Sequence, residues 1–532
     1  MKTIWIKSLS TGIMVLSLFL SVQAQKINWQ NMDLQKDSVF GISTEKAYTE
    51  LLQHKKAHPV VVAVIDGGVD TAHEDLRSVL WHNPKEVPGN GIDDDQDGYV
   101  DDVYGWDYIG GKKGDVNHDN LEVTRLVREQ GPFYDSLAKT DSVPEKYKAG
   151  YMTYEKMKTA YERQVSDVER PVTIIRQFRE ILDSIVSKIG KDSPSLADFE
   201  AYVPLSNRER WVRSTIEKAM MDGTSYAQFV KVGIDLPFNH YKDELAYDLN
   251  VDFDPRPIVG DDYNNPNQRD YGNNDVEGPD AEHGTHVAGI IGAVRHNGLG
   301  IDGVADHVQI MVLRVVPDGD ERDKDVANGI RYAVDHGAKV INMSFGKPYS
   351  KDKQVVDEAV KYAMSKDVLL VHAAGNDSED LDDSTNVDVP SPYYADGTGV
   401  AGNWITVGAT GWTDDTSLVA EFSNYGKTRV DVFAPGLEIY SSIPGSKYGR
   451  MSGTSMAAPV VTGLAALIRE YYPKLKAVEV KEIIMRSVVK PGHTVVIGKG
   501  DTRKVVDLSD ISVSGGVVNA YHALQMAEHF RR

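Results

Sequence analysis

Apolar residues run unbroken from Val60 to Ile65 and stop at Asp66-Gly67-Gly68. A run of that length predicts a strand buried on both faces, as in a parallel sheet. Further on, Val308–Val316, Lys339–Phe345 and Val368–Ala374 read as strands, and Lys324–His336 and Lys351–Ser365 as helices. Such alternation predicts an α/β fold with a doubly wound, mostly parallel sheet. The small and apolar stretch from His283 to Gly292 reads as a tightly packed helix with His283 at its mouth. Near the end, the polar, glycine-bearing segment Ile443–Ser452 gives way to Gly453-Thr454-Ser455-Met456-Ala457-Ala458-Pro459 and the apolar run Val460–Ile468, a loop feeding a helix N-terminus. Ile42–Lys56 reads as a further helix of the same domain.

Between these parts the pattern changes. Residues 120–269 are charged and helical in period. Ile174, Ile175, Phe178, Ile181, Leu182, Ile185, Val186 and Ile189 form one apolar stripe at helical spacing, which predicts a core-facing helix. Pro171 stands just inside the expected start and Gly190 just past the end. Further helices are expected over Glu145–Val168, Arg208–Met221 and Tyr226–Val232. The domain plan is therefore residues 25–119 and 270–532 as one α/β domain, carrying a mainly α-helical insertion at 120–269.

The N-terminus adds an address. Lys2 and Lys7 precede an apolar core from Ile13 to Leu20 and the small-residue pattern Val22-Gln23-Ala24. This reads as a secretory signal over 1–24, with an apolar run too short to span a bilayer. The expected location is periplasmic or extracellular, with no integral membrane segment once the signal is removed. The chain has no cysteine, so it is exported without disulfides. Its net charge of −21 argues against nucleic acid and anionic membranes as partners.

The candidate chemistry lies at three separated points. Ser455 stands where a helix N-terminus exposes unpaired N–H groups, although a serine there can equally be an N-cap. Asp66 lies at a strand's carboxyl end, where α/β sheets place their sites. A serine needs a base to take its proton, and the base needs a carboxylate to fix its tautomer. His283 and Asp66 supply these types, in chain order Asp, His, Ser. Asp66-Gly67-Gly68-Val69-Asp70, His283-Gly284-Thr285-His286-Val287-Ala288-Gly289 and Gly453–Pro459 together resemble the three signatures of the subtilisin-like serine proteases. The resemblance covers roughly residues 26–119 and 270–532. It departs from the family in the long separation of Asp66 from His283, and in the short stretch before the first strand, which leaves little room for a pro-domain.

The resemblance implies further roles. Ser344-Phe345-Gly346 is similar to the family's edge segment that pairs with extended substrate. Ala373-Ala374-Gly375-Asn376 is similar to the motif whose asparagine donates to the oxyanion, and its small residues imply an open pocket for the residue before the scissile bond.

A metal is expected from the residues themselves. Asp93, Asp95 and Asp97 alternate before Gly98, as in the first half of a calcium loop, with the Tyr99 carbonyl added and Asp101 or Asp102 completing the shell. Tyr104 stands where an EF-hand has its last glutamate, so this is a different calcium loop. The expected function is an exported serine endopeptidase acting on protein or peptide substrates. Two other readings stay open: a catalytically inactive binding protein that uses the helical insertion, and an esterase or transpeptidase on the same triad.

Overall fold

The computed structural model describes residues 26–138 and 143–530. The signal-peptide reading of residues 1–24 therefore lies outside the described residues. No helix among those described is long and apolar enough to cross a membrane. The chain divides into two compact units, one made of Gln25–Glu122 and Pro255–Arg532, the other containing Val123–Asp254. The sequence placed this division at 120 and 269; residues 255–269 instead belong with the sheet. Arg256 explains why: its buried guanidinium pairs with Asp261 at 2.6 Å and with Asp325 at 2.6 Å.

The first unit is built on seven strands: β1 (Val60–Asp66), β2 (Gly105–Asp107), β3 (Val308–Arg314), β4 (Val340–Met343), β5 (Leu369–Ala373), β6 (Trp404–Thr410) and β7 (Val432–Pro435). They lie in the order β2-β3-β1-β4-β5-β6-β7, and every neighbouring pair is parallel. The unbroken apolar run of β1 follows from burial on both faces. Val60, Val62 and Val64 join one core, while Ala63 and Ile65 join another. The first core packs α1 (Glu282–Gly292) and, later in the chain, the long helix ending the site motif; the second packs α2 (Asp323–Asp335) and α3 (Lys353–Ser365). The long helix, α4 (Thr454–Tyr471), is buried along nearly its whole length. Because β3 and β4 flank β1 on opposite sides, the connection between them crosses over it. The carboxyl ends of β1 and β4 thus meet at a topological switch point, the place where open α/β sheets hold ligands. The helix expected over Ile42–Lys56 is one α-turn, Thr44–Ala47, continuing as a π-turn over Tyr48–Leu52.

The second unit is helical. Phe178, Leu182, Ile185, Phe199, Val212, Ile216, Ala219, Phe229 and Ile234 form its buried core, so the centre of the predicted stripe packs inward, while Ile174 is exposed. The helix runs from Glu145 to Ile189 without a break, and Pro171 lies inside it rather than at its start. Proline there removes one backbone hydrogen bond, to the carbonyl four residues back, but the turns on both sides continue. Gly190 ends the helix at φ 75°, its N–H bonded to the Val186 carbonyl.

Candidate active site

Asp66 is the last residue of β1 and is buried. Its Oδ1 accepts from the Gly67 N–H at 2.8 Å and faces His283 Nδ1 at 2.8 Å. A carboxylate only accepts, so Nδ1 carries the proton and the neutral ring presents Nε2 as a base. Nε2 of His283 holds no hydrogen bond among the described residues. Burial would lower the pKa of His283, but the Asp66 carboxylate, by charge and hydrogen bond, together with Asp280 holds it above its ordinary value. Gly284 makes this approach possible: a Cβ there would sit 2.1 Å from the Gly68 carbonyl oxygen and 3.2 Å from Asp66 Cβ. His286, one turn on, has a different task. Its Nε2–H donates to the Ile439 carbonyl at 3.0 Å, and burial drives its pKa down to about 4, so it is a neutral structural group.

Ser455 occupies the first turn of α4 and is not its N-cap; Gly453 is. Its backbone N–H is therefore among the donors the helix leaves unpaired. Pro459 lies four residues on and has no N–H to offer the Ser455 carbonyl. That carbonyl accepts instead from Ser344 Oγ at 2.9 Å, and Ser455 Oγ donates to the Ser344 carbonyl at 3.1 Å. A proline in a buried helix thus joins the turn that carries Ser455 to the segment leaving β4. Beneath it, Asn342 donates to Ser344 Oγ at 3.0 Å and accepts from Thr462 at 2.8 Å.

Asn376 follows β5. Its Oδ1 accepts from the Thr454 N–H at 2.9 Å and from Thr454 Oγ1 at 3.1 Å. With the oxygen engaged, Nδ2 is left as a donor beside the turn that carries Ser455. The loop itself is clamped by Asn424. Its Nδ2 donates to the Ala374 carbonyl at 2.9 Å, and its Oδ1 accepts from the N–H groups of Asp377 and Glu379 at 3.0 and 2.9 Å. Thr454, Asn342, Thr462 and Asn424 were not assigned site roles from sequence. Asn342, Thr454 and Thr462 lay within stretches already noted, but only the fold reveals what they hold.

The acidic loop sorts its carboxylates into two groups. Asp93 accepts from the N–H groups of Asp97 and Gly98 at 3.2 and 2.8 Å. Asp95 pairs through Oδ2 with Lys85 at 3.2 Å, while its Oδ1 is buried without a hydrogen bond. Ligand atoms of Glu86, Asp93 and Asp95 lie within 4.8 Å of one another, as do those of Asp95, Asp97 and His336. Asp101 spends its oxygens on the N–H groups of Gly89, Asn90 and Gly91 at 2.7, 3.1 and 2.8 Å. Asp102 accepts from Asn83 at 2.9 Å and from the Tyr332 hydroxyl. Tyr99 turns its ring into a buried aromatic cluster with Trp106, Tyr108 and Tyr332. Asp101 and Asp102 are thus committed to other partners, and the side chains that converge are Glu86, Asp93 and Asp95 in one grouping and Asp95, Asp97 and His336 in another.

A model of the subtilase family, peptidase S8, matches residues 57–510. A thermophilic serine proteinase of Bacillus sp. (strain AK1) is 42% identical over 201 residues, which cover 37% of this chain and 45% of that protein. Thermitase of Thermoactinomyces vulgaris is 43% identical over 187 residues, covering 35% of this chain and 60% of that one. In both cases the match spans less than two thirds of the relative's length. Subtilisin BL of Lederbergia lenta is 34% identical over 219 residues, covering 41% of this chain and 74% of that one. A solved structure titled as proteases from Pseudoalteromonas arctica PAMC 21717 aligns with 48% of this chain and 80% of its own, at 28% identity and a TM-score of 0.39. The family match runs from before β1 to beyond α4, so it contains every strand of the parallel sheet and the elements bearing Asp66, His283 and Ser455: the chain belongs to the subtilase family.

Proposed function

We propose that this protein is an exported serine endopeptidase in which Asp66, His283 and Ser455 form the catalytic triad. The observation that carries this reading is the 2.8 Å pairing of His283 Nδ1 with Asp66, which leaves Nε2 free to act as a base. Ser455 Oγ attacks the scissile carbonyl as His283 Nε2 takes its proton. Asp66 holds the ring in one tautomer and stabilises the imidazolium that forms. Asn376 Nδ2 and the Ser455 N–H donate to the oxygen on which negative charge develops. His283 then returns the proton to the leaving amine, and water releases the acyl group by the reverse steps. The segments Ser344–Gly346 and Ala373–Gly375 flank the site and receive the substrate backbone and the side chain before the scissile bond. A serine-directed fluorophosphonate tests the reading directly: mass spectrometry should find one adduct, on Ser455. A protein that takes no adduct and cleaves no peptide library is not a peptidase.

Asn376→Ala is expected to lower kcat about 10²–10³-fold, equivalent to about 2.7–4 kcal/mol of transition-state stabilisation, with KM little changed. Asn376 accepts only from Thr454, so the fold retains its main clamp at Asn424. Steady-state kinetics on a chromogenic peptide read the split. An unchanged kcat removes Asn376 from the mechanism.

We further propose that the acidic loop holds calcium or a similar hard cation through Asp93, Asp95 and Glu86. The buried, unpartnered Asp95 Oδ1 supports this, because a buried carboxylate oxygen without a partner is costly and three converging carboxylates repel one another. Binding to the folded state alone would stabilise it by about 2.7 kcal/mol at a hundredfold excess over Kd. Chelation should lower Tm, added calcium should restore it, and Asp95→Ala should lose most of that response while Ser455 still labels. A Tm indifferent to chelator would leave the loop an acidic surface turn.

A further inference from the structure

One acidic side chain of the sheet unit has no counterpart and lies against the elements that flank the candidate scissile bond. Asp388 belongs to the loop between β5 and β6. Lys347 and Val389 hold that loop against the segment leaving β4 by a reciprocal pair of backbone hydrogen bonds of 2.9 and 3.0 Å. The Asp388 carboxylate is thereby pressed onto Gly346: a Cβ on Gly346 would come within 2.4 Å of Asp388 Oδ1. On its other side stands His372, the residue before Ala373, with Nδ1 at 3.9 Å from Asp388 Oδ2. Asp388 therefore sits between Ser344–Gly346 and Ala373–Gly375.

Nothing among the described residues satisfies this carboxylate. No N–H, O–H or cation reaches it within hydrogen-bonding distance, although its side chain is only 18% exposed. His372 is too far for a hydrogen bond, and burial drives its pKa down to about 4, so it brings no charge. Arg429 lines the same small cavity, but its guanidinium stacks over the Tyr393 ring at 4.4 Å. Burial, with the neighbouring carboxylates of Glu321 and Asp377, raises the Asp388 pKa well above the usual carboxylate range. A half-hidden acid in an acidic neighbourhood costs stability unless a cation completes it. The residues around it are small: Gly346 cannot carry a Cβ, and Ala373, Ala374 and Gly375 leave room. Ser344, whose carbonyl accepts from Ser455 Oγ, is two residues from Gly346. Two residues of extended chain reach about 6–7 Å, close to the length of a basic side chain.

We infer that Asp388 is the specificity-determining residue of the pocket before the scissile bond, where it receives the ammonium or guanidinium of a substrate Lys or Arg. The inference rests on the reading of Ser455 as the nucleophile and adds the substrate class to it. The carboxylate accepts two N–H groups of a guanidinium side by side, or one ammonium as a point charge. A substrate with Leu or Phe at that position leaves the acid unpaired and is disfavoured.

The test uses the full chain and peptide amides that differ only in the residue before the scissile bond. Arg and Lys substrates should exceed Leu and Phe substrates in kcat/KM by at least about 100-fold, the size expected for truncating one partner of a buried charge pair. Asp388→Asn should remove that preference, lowering kcat/KM on the Arg and Lys substrates toward that on the Leu and Phe substrates. Asp388→Glu should keep the preference and guards against a folding defect in the amide variant. Benzamidine, a guanidinium-like probe, is titrated calorimetrically into wild type and Asp388→Asn; this reads the pocket even if no peptide is cleaved, and binding should be lost in the variant. Fluorophosphonate labelling of Ser455 reports separately on the protease reading. A wild type that prefers Leu or Phe, a basic preference that survives Asp388→Asn, or benzamidine binding equal in both proteins overturns the assignment and leaves Asp388 a wall residue without a role in specificity.

Discussion

Ser455→Ala is expected to abolish fluorophosphonate labelling and to lower kcat about 10⁶-fold, the size measured when a subtilisin loses its serine. No neighbouring hydroxyl can take over. Ser344 Oγ is committed to the Ser455 carbonyl, and Thr454 Oγ1 to Asn376. The substitution removes a single side-chain hydrogen bond, to the Ser344 carbonyl, worth about 0.5–1.5 kcal/mol. Thermal unfolding should therefore hardly move while turnover collapses, and that divergence separates chemistry from folding. His283→Ala should cost about as much as Ser455→Ala, and the double variant little more, because the residues act as one unit. Additive losses would mean that Ser455 and His283 act in different steps. Residual activity within ten-fold of wild type would place the nucleophile elsewhere.

The sheet was legible because a parallel strand is apolar on both faces, and β1 and β3 are written as such. The positions of Asp66, His283 and Ser455 at the ends of their elements were legible for a different reason: each lies within a short motif whose local pattern marks where the element begins or stops. Local pattern was less informative where an interaction joins distant parts of the chain. Pro171 carries a helix-start signal, yet the 45-residue helix continues through it, and only packing of the flanking turns decides between the two. Glu86 and His336 look unremarkable in sequence; they reach the acidic loop because of the chain's path around β2 and α2. Conversely, the loop read as six possible ligands because alternating aspartates look alike, and only their hydrogen bonds separate Asp101, which ties three N–H groups, from Asp95, whose inner oxygen is open. Asp388 sits among turn residues with no periodicity. Its meaning comes from Gly346, in another strand's exit loop, and so from a contact that no motif encodes.

Asp66→Asn is expected to lower kcat about 10⁴-fold and to move the acid limb of the pH profile. In the wild type, kcat/KM should rise with pH through a midpoint above 6.5, the ordinary value for histidine, because burial lowers the His283 pKa less than Asp66, with Asp280, raises it. A base must be neutral, so activity grows as His283 loses its proton. The same shift sets the sign for stability: the His283–Asp66 interaction stabilises the folded protein fully below the unfolded histidine pKa and fades as pH rises through the folded one. An amide at position 66 removes that negative charge, and only the smaller pull of Asp280 then opposes burial. The midpoint should fall, and the acid-side stability gain should vanish with it. The rate falls for a further reason: an asparagine can donate to Nδ1, which favours the tautomer with its proton on Nε2 and leaves Ser455 without a base. The two readouts are independent, one a rate and the other a titration. An acid limb that stays in place while kcat falls would mean that residue 66 orients the ring without setting its charge. A variant matching wild type in both would remove Asp66 from the triad.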